Sequence, residues 1–302
     1  MLAWPVFMPS RFLANARLRA AKPCKRAAVA RALELLVVTC VTTMVFADPS
    51  PLVSVVLGTI GATAVGLVAW GVFHVNSSLW ATTRSSGRPP KSIVALTFDD
   101  GPDPLVTPAI LSILAQEDVS AAFFVVGQHV RRAPELVQRV HAAGHLVGNH
   151  SDTHGFRLHI APRATVLREL VRCNAAIFAA IDREPTLYRA PHGFKRPALG
   201  DVLQQLGMTA VGWQARGFDT VENDPAKITA RIFARLRPGG VVLMHDGTHG
   251  RGNRLATLAA LPRVIAGVRQ RGWTFVRLDE LLDVAGYQAC LPDVGKVPFA
   301  SA

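Results

Sequence analysis

From residue 92 onward, short apolar runs alternate with longer stretches whose apolar residues recur every three or four positions. This alternation restricts the fold more than any other feature of the chain. The runs at 93–98, 121–126, 145–149, 186–189, 209–213, 241–245 and 274–277 predict strands. Between them, 107–118, 134–143, 163–181, 197–206, 226–236 and 255–269 predict amphipathic helices; Leu136, Val137 and Val140, for example, share one face. Strands alternating with helices build a parallel sheet, and about seven repeats are enough to curl it into a (β/α) barrel. No fixed-period repeat is present, and nothing between 92 and 285 has the composition of a disordered segment.

Two apolar segments precede this region. The first, 35–47, is short and follows Glu34, whereas 52–75 is long enough to cross a bilayer. The formal net charge of +12 suggests nucleic acid only until it is located. Ten Lys and Arg residues against Glu34 and Asp48 fall within 1–91, so most of the basic excess flanks the apolar segments. Basic flanks without interleaved aromatics indicate membrane topology rather than a nucleic-acid surface. The expected division is a basic N-terminal segment (1–31), a membrane-anchoring region (32–76), a linker (77–91), a catalytic domain (92–285) and a tail (286–302). A cleavable leader would remove only one apolar core, leaving the second, so the cell (inner) membrane is the expected location. Two true spans place the domain in the cytoplasm by the positive-inside rule, and a single span places it outside; the sequence is compatible with both. Cys24, Cys40, Cys173 and Cys290 lack metal-ligand spacing and fit the role of small buried hydrophobes.

Four polar groups fall at the C-terminal ends of predicted strands: Asp99-Asp100, His150 to His154, Arg189 to Gly193, and His245-Asp246. One face of a (β/α) barrel would gather them all. Adjacent carboxylates repel when both are ionised, so one of the aspartates is expected to pair with a metal or share a proton. Two imidazoles with a carboxylate suit a borderline metal, zinc above all. The segment His150-Ser151-Asp152-Thr153-His154 lacks the glutamate of H-E-x-x-H, which removes the metalloprotease helix from consideration. The residues therefore suggest a mononuclear metal site with a spare carboxylate beside it.

In this order and spacing, TFDDGP (97–102), HSDTH (150–154), RAPHG (189–193) and LMHD (243–246) resemble the NodB-homology polysaccharide deacetylases, carbohydrate esterase family 4. The resemblance covers residues 92–285. It implies a distorted (β/α) barrel and a divalent metal on Asp100, His150 and His154, commonly Zn2+, with Co2+, Mn2+ or Ni2+ as alternatives. It also implies Asp99 as general base, His245 as general acid, and Arg189 as the group that orients Asp99. The backbone N–H of His192, after Pro191, is the implied oxyanion donor. Asp219 is expected to tether Arg189 or His245, and Trp213 and Phe218 to line an acetyl-methyl pocket or simply to be core aromatics. Arg216 stands where the family commonly carries an acid, which bears on substrate fit more than on catalysis.

The implied activity is membrane-anchored removal of N-acetyl groups from an amino-sugar glycan. Deacylation of a lipid-linked amino sugar and O-acetyl ester hydrolysis are the alternatives, and a non-catalytic glycan-binding protein is a third. Loops 155–162 and 248–254 are expected to meet the glycan. His159, His192 and His249 either touch it or are ordinary exposed loop histidines.

Overall fold

The computed structural model describes residues 25–47, 49–87, 92–247 and 254–289. Two helices come first, α1 (Lys25–Phe46) and α2 (Pro51–Phe73), and then the edge strand β1 (Thr83–Arg84). The sheet continues with β2 (Ile93–Asp99), β3 (Ala121–Val125), β4 (Leu146–Asn149), β5 (Leu187–Tyr188), β6 (Thr209–Val211), β7 (Ala215–Arg216), β8 (Val241–His245) and β9 (Thr274–Phe275). The intervening helices are α3 (Val106–Gln116), α4 (Gly127–Arg132), α5 (Pro134–Ala142), α6 (Arg163–Ile181), α7 (Leu199–Leu206), α8 (Pro225–Arg235) and α9 (Leu255–Gln270), with α10 (Leu278–Leu282) after β9.

All the strand pairs are parallel, in the order β1-β6-β5-β4-β3-β2-β8-β7, with β9 paired to the start of β2. The expected barrel is therefore curled but not closed by a continuous ladder. β6, near one end of the order, and β7, at the other, are joined only by residues 212–214, so the chain itself completes the circuit. The Val241 N–H also donates to the Ser85 carbonyl at 3.3 Å, drawing the continuation of β1 toward the start of β8.

Alternation along β2 divides the core. Val94, Leu96 and Phe98 pack outward against the helix layer, while Ala95 joins the apolar filling inside the curl. Thr97 and Asp99, in phase with Ala95, are the polar residues of the inner face. The helices follow their sequence signals. In α6, Val166, Leu170, Cys173, Ile177 and Ala180 are buried at helical spacing, and the helix ends at left-handed Asp182. The Asp224 side chain caps α8 by accepting from the Ala226 and Lys227 N–H groups, with Pro225 in the first turn.

Several stretches differ from expectation. Of the two apolar segments, only α2 is long and apolar enough to span a bilayer; α1 starts earlier than expected, and its apolar part is Ala32–Phe46. Residues 77–87 of the expected linker are built into the domain. They supply β1 and the fully buried Trp80, whose ring packs against Gly71 and whose carbonyl is met by Gly200. Residues 286–288 of the expected tail also pack on the domain, through the Gly286 carbonyl to Thr186, the Tyr287 hydroxyl to the Val147 N–H and the Gln288 N–H to Glu184. Cys40 and Cys173 are free and buried, as expected, while Cys24 and Cys290 lie outside the described residues.

Candidate active site

Strand register brings the polar groups together. Asp99 pairs with Phe124 on one side and with His245 on the other, and Val125 pairs with Asn149, which pairs with Tyr188. The residues following these positions therefore share one rim.

Asp99 and Asp100 part company at this rim. Asp99 is the last residue of the extended strand, and its carboxylate stays on the inner face. There the Arg189 guanidinium donates to Asp99 Oδ1 at 2.7 Å, to Thr97 Oγ1 at 2.8 Å and to the Gly212 carbonyl at 3.1 Å. Arg189 is fully buried, and its guanidinium carbon lies 4.2 Å from the centre of the Phe124 ring. Asp100 has a φ of 79° and turns toward the histidines. Its Oδ1 lies 3.3 Å from both His150 Nε2 and His154 Nε2, and His150 Nε2 is 3.8 Å from Asp99 Oδ2.

The ligand atoms of Asp100, His150 and His154 all lie within 4.8 Å of one another. His150 Nδ1–H donates to the Arg189 carbonyl at 2.8 Å, which directs Nε2 toward Asp100. Burial works against a charged His150, but the Asp99 and Asp100 carboxylates outweigh it and raise its pKa. Two imidazole nitrogens and one carboxylate converging here fit a borderline divalent cation.

The histidine loop is held by residues that carry no signature in the sequence. Asn149 bonds Asn174 and the Leu170 carbonyl through its amide N–H groups, and its oxygen accepts from the Ser151 N–H. The Glu169 carboxylate on α6 accepts from the Asp152 and Thr153 N–H groups. His129 Nδ1–H donates to the Asp100 carbonyl at 2.8 Å. Gly101 is needed because a Cβ there would run into the buried Asp246 carboxylate.

On the other side of Asp99 stands His245. The Asp219 carboxylate accepts from its Nδ1–H and from its backbone N–H, both at 2.9 Å, and from Thr257 Oγ1 at 3.0 Å. Burial opposes charge on both partners, yet their attraction prevails: Asp219 is lowered and His245 is raised to about 9. Of the two tethers expected for Asp219, the structure shows the one to His245, while Arg189 binds Asp99, Thr97 and Gly212.

The 3₁₀ turn Pro191–Gly193 carries left-handed His192 (φ 56°), whose ring lies 4.7 Å from that of His154. Trp213 is buried behind this turn, where a Cβ on Gly193 would approach it to 2.7 Å. Phe218 is 42% exposed and carries the Arg216 guanidinium 4.1 Å above its ring. His159 is half-buried among rings, 5.4 Å from His192 and 5.0 Å from Phe194, rather than an exposed loop histidine. His249 and loop positions 248–253 lie outside the described residues.

Among the described residues, five of the eight non-glycine residues with left-handed φ, namely Asp100, Ser151, His154, His192 and Phe218, belong to or border this site. Such conformations cost on the order of 1–3 kcal/mol each and persist where surrounding contacts enforce them.

A family model described as "Polysaccharide deacetylase" matches residues 86–211. The peptidoglycan-N-acetylglucosamine deacetylase of Bacillus cereus is 32% identical over 194 residues, covering 64% of this chain and 89% of that protein. A chitooligosaccharide deacetylase of a Bradyrhizobium species is 35% identical over 197 residues, or 62% of this chain and 90% of that protein. Among solved structures, a peptidoglycan N-acetylglucosamine deacetylase in complex with an N-oxidanyl-benzamide superposes with a TM-score of 0.65 at 26% identity, covering 68% of this chain and 95% of that one. A carbohydrate esterase family 4 pseudoenzyme from Bacillus anthracis superposes with a TM-score of 0.61 at 26% identity, covering 68% and 71%. Sequence likeness across nearly the whole of these relatives and a common fold agree that the chain belongs to the polysaccharide deacetylase family.

Proposed function

We propose that the protein is a metal-dependent N-deacetylase of an N-acetylated amino-sugar glycan, held at the cell membrane by its N-terminal helices. One observation carries this reading: a spare carboxylate (Asp99), fixed by a buried arginine, stands between a three-ligand cluster and a histidine kept protonated by its own aspartate.

Asp100, His150 and His154 would hold the cation, zinc by donor set, with cobalt, manganese and nickel as substitutes. The chemistry it supplies when bound is Lewis acidity toward the acetyl carbonyl and toward water. Asp99 accepts the proton of the attacking water as its oxygen bonds to the acetyl carbon. Arg189 keeps Asp99 aimed, by a charge-assisted bond. The backbone N–H of His192, after Pro191, donates to the developing oxyanion. His245, protonated at neutral pH and positioned by Asp219, gives its proton to the sugar nitrogen as the C–N bond breaks, leaving acetate and a free amine. Trp213 and Phe218 form the apolar wall that the acetyl methyl meets, and Arg216, stacked on Phe218, narrows it from outside. Loop 155–162 flanks the glycan on the histidine side. Residues 32–76 anchor and 92–285 catalyse, with 77–87 and 286–288 packed into the catalytic part.

The test is acetate release from an N-acetylated chitooligosaccharide by the full, metal-loaded chain. His154→Ala is expected to abolish metal binding and acetate release together, and activity surviving without metal would overturn the reading. Since the family includes a pseudoenzyme, tight glycan binding without acetate release would favour a binding role instead.

A further inference from the structure

The apolar helix α2 does not end on a free tether. Its last turn is fastened to the loop that follows the Pro191–Gly193 turn. The Lys195 backbone N–H donates to the Val72 carbonyl at 3.1 Å. The buried Lys195 ammonium donates to the Val75 carbonyl at 2.5 Å and to the Ser77 carbonyl at 2.7 Å, where a helix C-terminus favours a cation. Phe73 packs edge-on against Phe194 with ring centres 5.1 Å apart. From there a train of rings leads to the cluster: Phe194 to His159 at 5.0 Å, His159 to His192 at 5.4 Å, and His192 to His154 at 4.7 Å. Four ring contacts separate the end of the apolar helix from a metal-ligand candidate. A helix docked on the far end of the sheet would have no such path.

α1 strengthens the geometry. It runs antiparallel to α2, with Met44 beside Gly58 and Cys40 beside Gly61. At the start of its apolar part, Glu34 lies close enough to Arg196 to act on its charge. The apolar arm Ala32–Phe46 rises only about 22 Å at ~1.5 Å per residue, less than the ~30 Å hydrocarbon core. An arm this short draws the domain down onto the lipid. On the same face, the 3₁₀ turn Phe156–His159 and its neighbour present two bare apolar side chains, Phe156 (72% exposed) and Ile160 (84% exposed). Phe156 touches His159 and His192 in the ring train, so these side chains continue the apolar surface that begins with α2. Trp70, half exposed and stacked on His74, provides the amphipathic ring expected at a bilayer boundary.

We propose that the catalytic face rests on the membrane surface, with Phe156 and Ile160 dipping into the leaflet. Its substrate is then an acetylated amino sugar carried on a lipid in that leaflet, rather than a polymer reached from a distance. The inference rests on the deacetylase reading and on α2 as a membrane helix, and it deepens both. Confining enzyme and substrate to one surface raises their effective concentration.

The test uses the full chain in phosphatidylethanolamine–phosphatidylglycerol vesicles. Its four native cysteines are replaced by alanine, and an environment-sensitive fluorophore is placed at Ile160→Cys or, at the opposite end of the sheet, at Ser120→Cys. Nitroxide-bearing lipids are expected to quench the label at 160 and leave the one at 120 bright. Equal quenching, none at 160, or a chain that fails to stay with the vesicles would overturn the proposal. In parallel, acetate release is compared for an N-acetylglucosamine oligosaccharide free in solution and for the same sugar on a polyprenyl phosphate in the vesicle. The linked sugar is expected to be preferred in kcat/KM by about a hundred-fold. Ile160→Glu is expected to lower kcat/KM for the linked sugar more than for the free one. Equal turnover of the two sugars would overturn the substrate assignment. No acetate from either would instead defeat the deacetylase reading, while quenching at 160 would still report the catalytic face on lipid.

Discussion

Asp99 and Asp100 are adjacent in sequence and divided in task, and one dihedral angle divides them. Extended backbone leaves Asp99 on the inner face under Arg189, and left-handed φ sends Asp100 to the histidines. The division is measurable. Asp99→Asn should retain stoichiometric metal while kcat falls by about 10²–10⁴-fold, the usual range for a lost general base. Asp100→Asn should lose the metal itself, as read by metal analysis after dialysis. A normal kcat in Asp99→Asn would remove that residue from the chemistry. The pH profile tests His245. A general acid must be protonated, so the rate should fall as pH rises through its pKa of about 9. Asp219→Asn removes the carboxylate that raises it, and the basic limb should then move down toward the ordinary histidine value of about 6.5. A basic limb that stays in place in Asp219→Asn would show that another group sets it.

At the scale of elements, the site is assembled by segments of unequal visibility. The strand ends were legible because apolar runs stop at Asp99, Asn149, Arg189 and His245, and polar residues at strand C-termini gather on one face. The supporting contacts were not legible. Glu169 lies on a helix whose inward face alone shows in its pattern, and nothing in the sequence ties it to Asp152 and Thr153. Removing it tests how much the loop needs that clamp. Glu169→Ala should weaken metal affinity by about 10–100-fold, as loss of an outer-shell support does, with the fold retained by circular dichroism. Unchanged affinity would mean that Asn149 alone holds the loop. The left-handed turns at Ser151, His154 and His192 were equally hidden, because non-glycine residues adopt them only when tertiary contacts enforce them. Composition misled at 77–87, where serine, glycine and basic residues suggested a linker around the buried Trp80. A fragment starting at residue 92 would forfeit β1 and that ring. Trp80→Ala in the full chain should cost about 3–5 kcal/mol in the unfolding free energy of the domain. A change below about 1 kcal/mol would mean that the ring is a passive cover.

At the scale of the whole molecule, the α1–α2 hairpin would set which side of a membrane the catalytic face occupies. α1 and α2 run antiparallel, so the start of α1 and the end of α2 lie on one side of any bilayer the pair enters, whether or not the shorter arm crosses it fully. If the pair enters a bilayer, the basic residues that flank it in sequence make the cytoplasm the expected side. The sequence left two topologies open because the weight of 35–47 depended on whether it paired with 52–75, and pairing is a tertiary fact. Cys40 and Ala64, buried between the helices, supply it. A reporter fused after Ala302 that is active only in the cytoplasm should therefore light up, and its counterpart active only outside should stay dark. Such a result would turn the search for substrate to lipid-linked or nucleotide-linked amino sugars on that side. The opposite result would require α1 to leave α2 and lie elsewhere, which would also release the short arm that draws the catalytic face toward lipid.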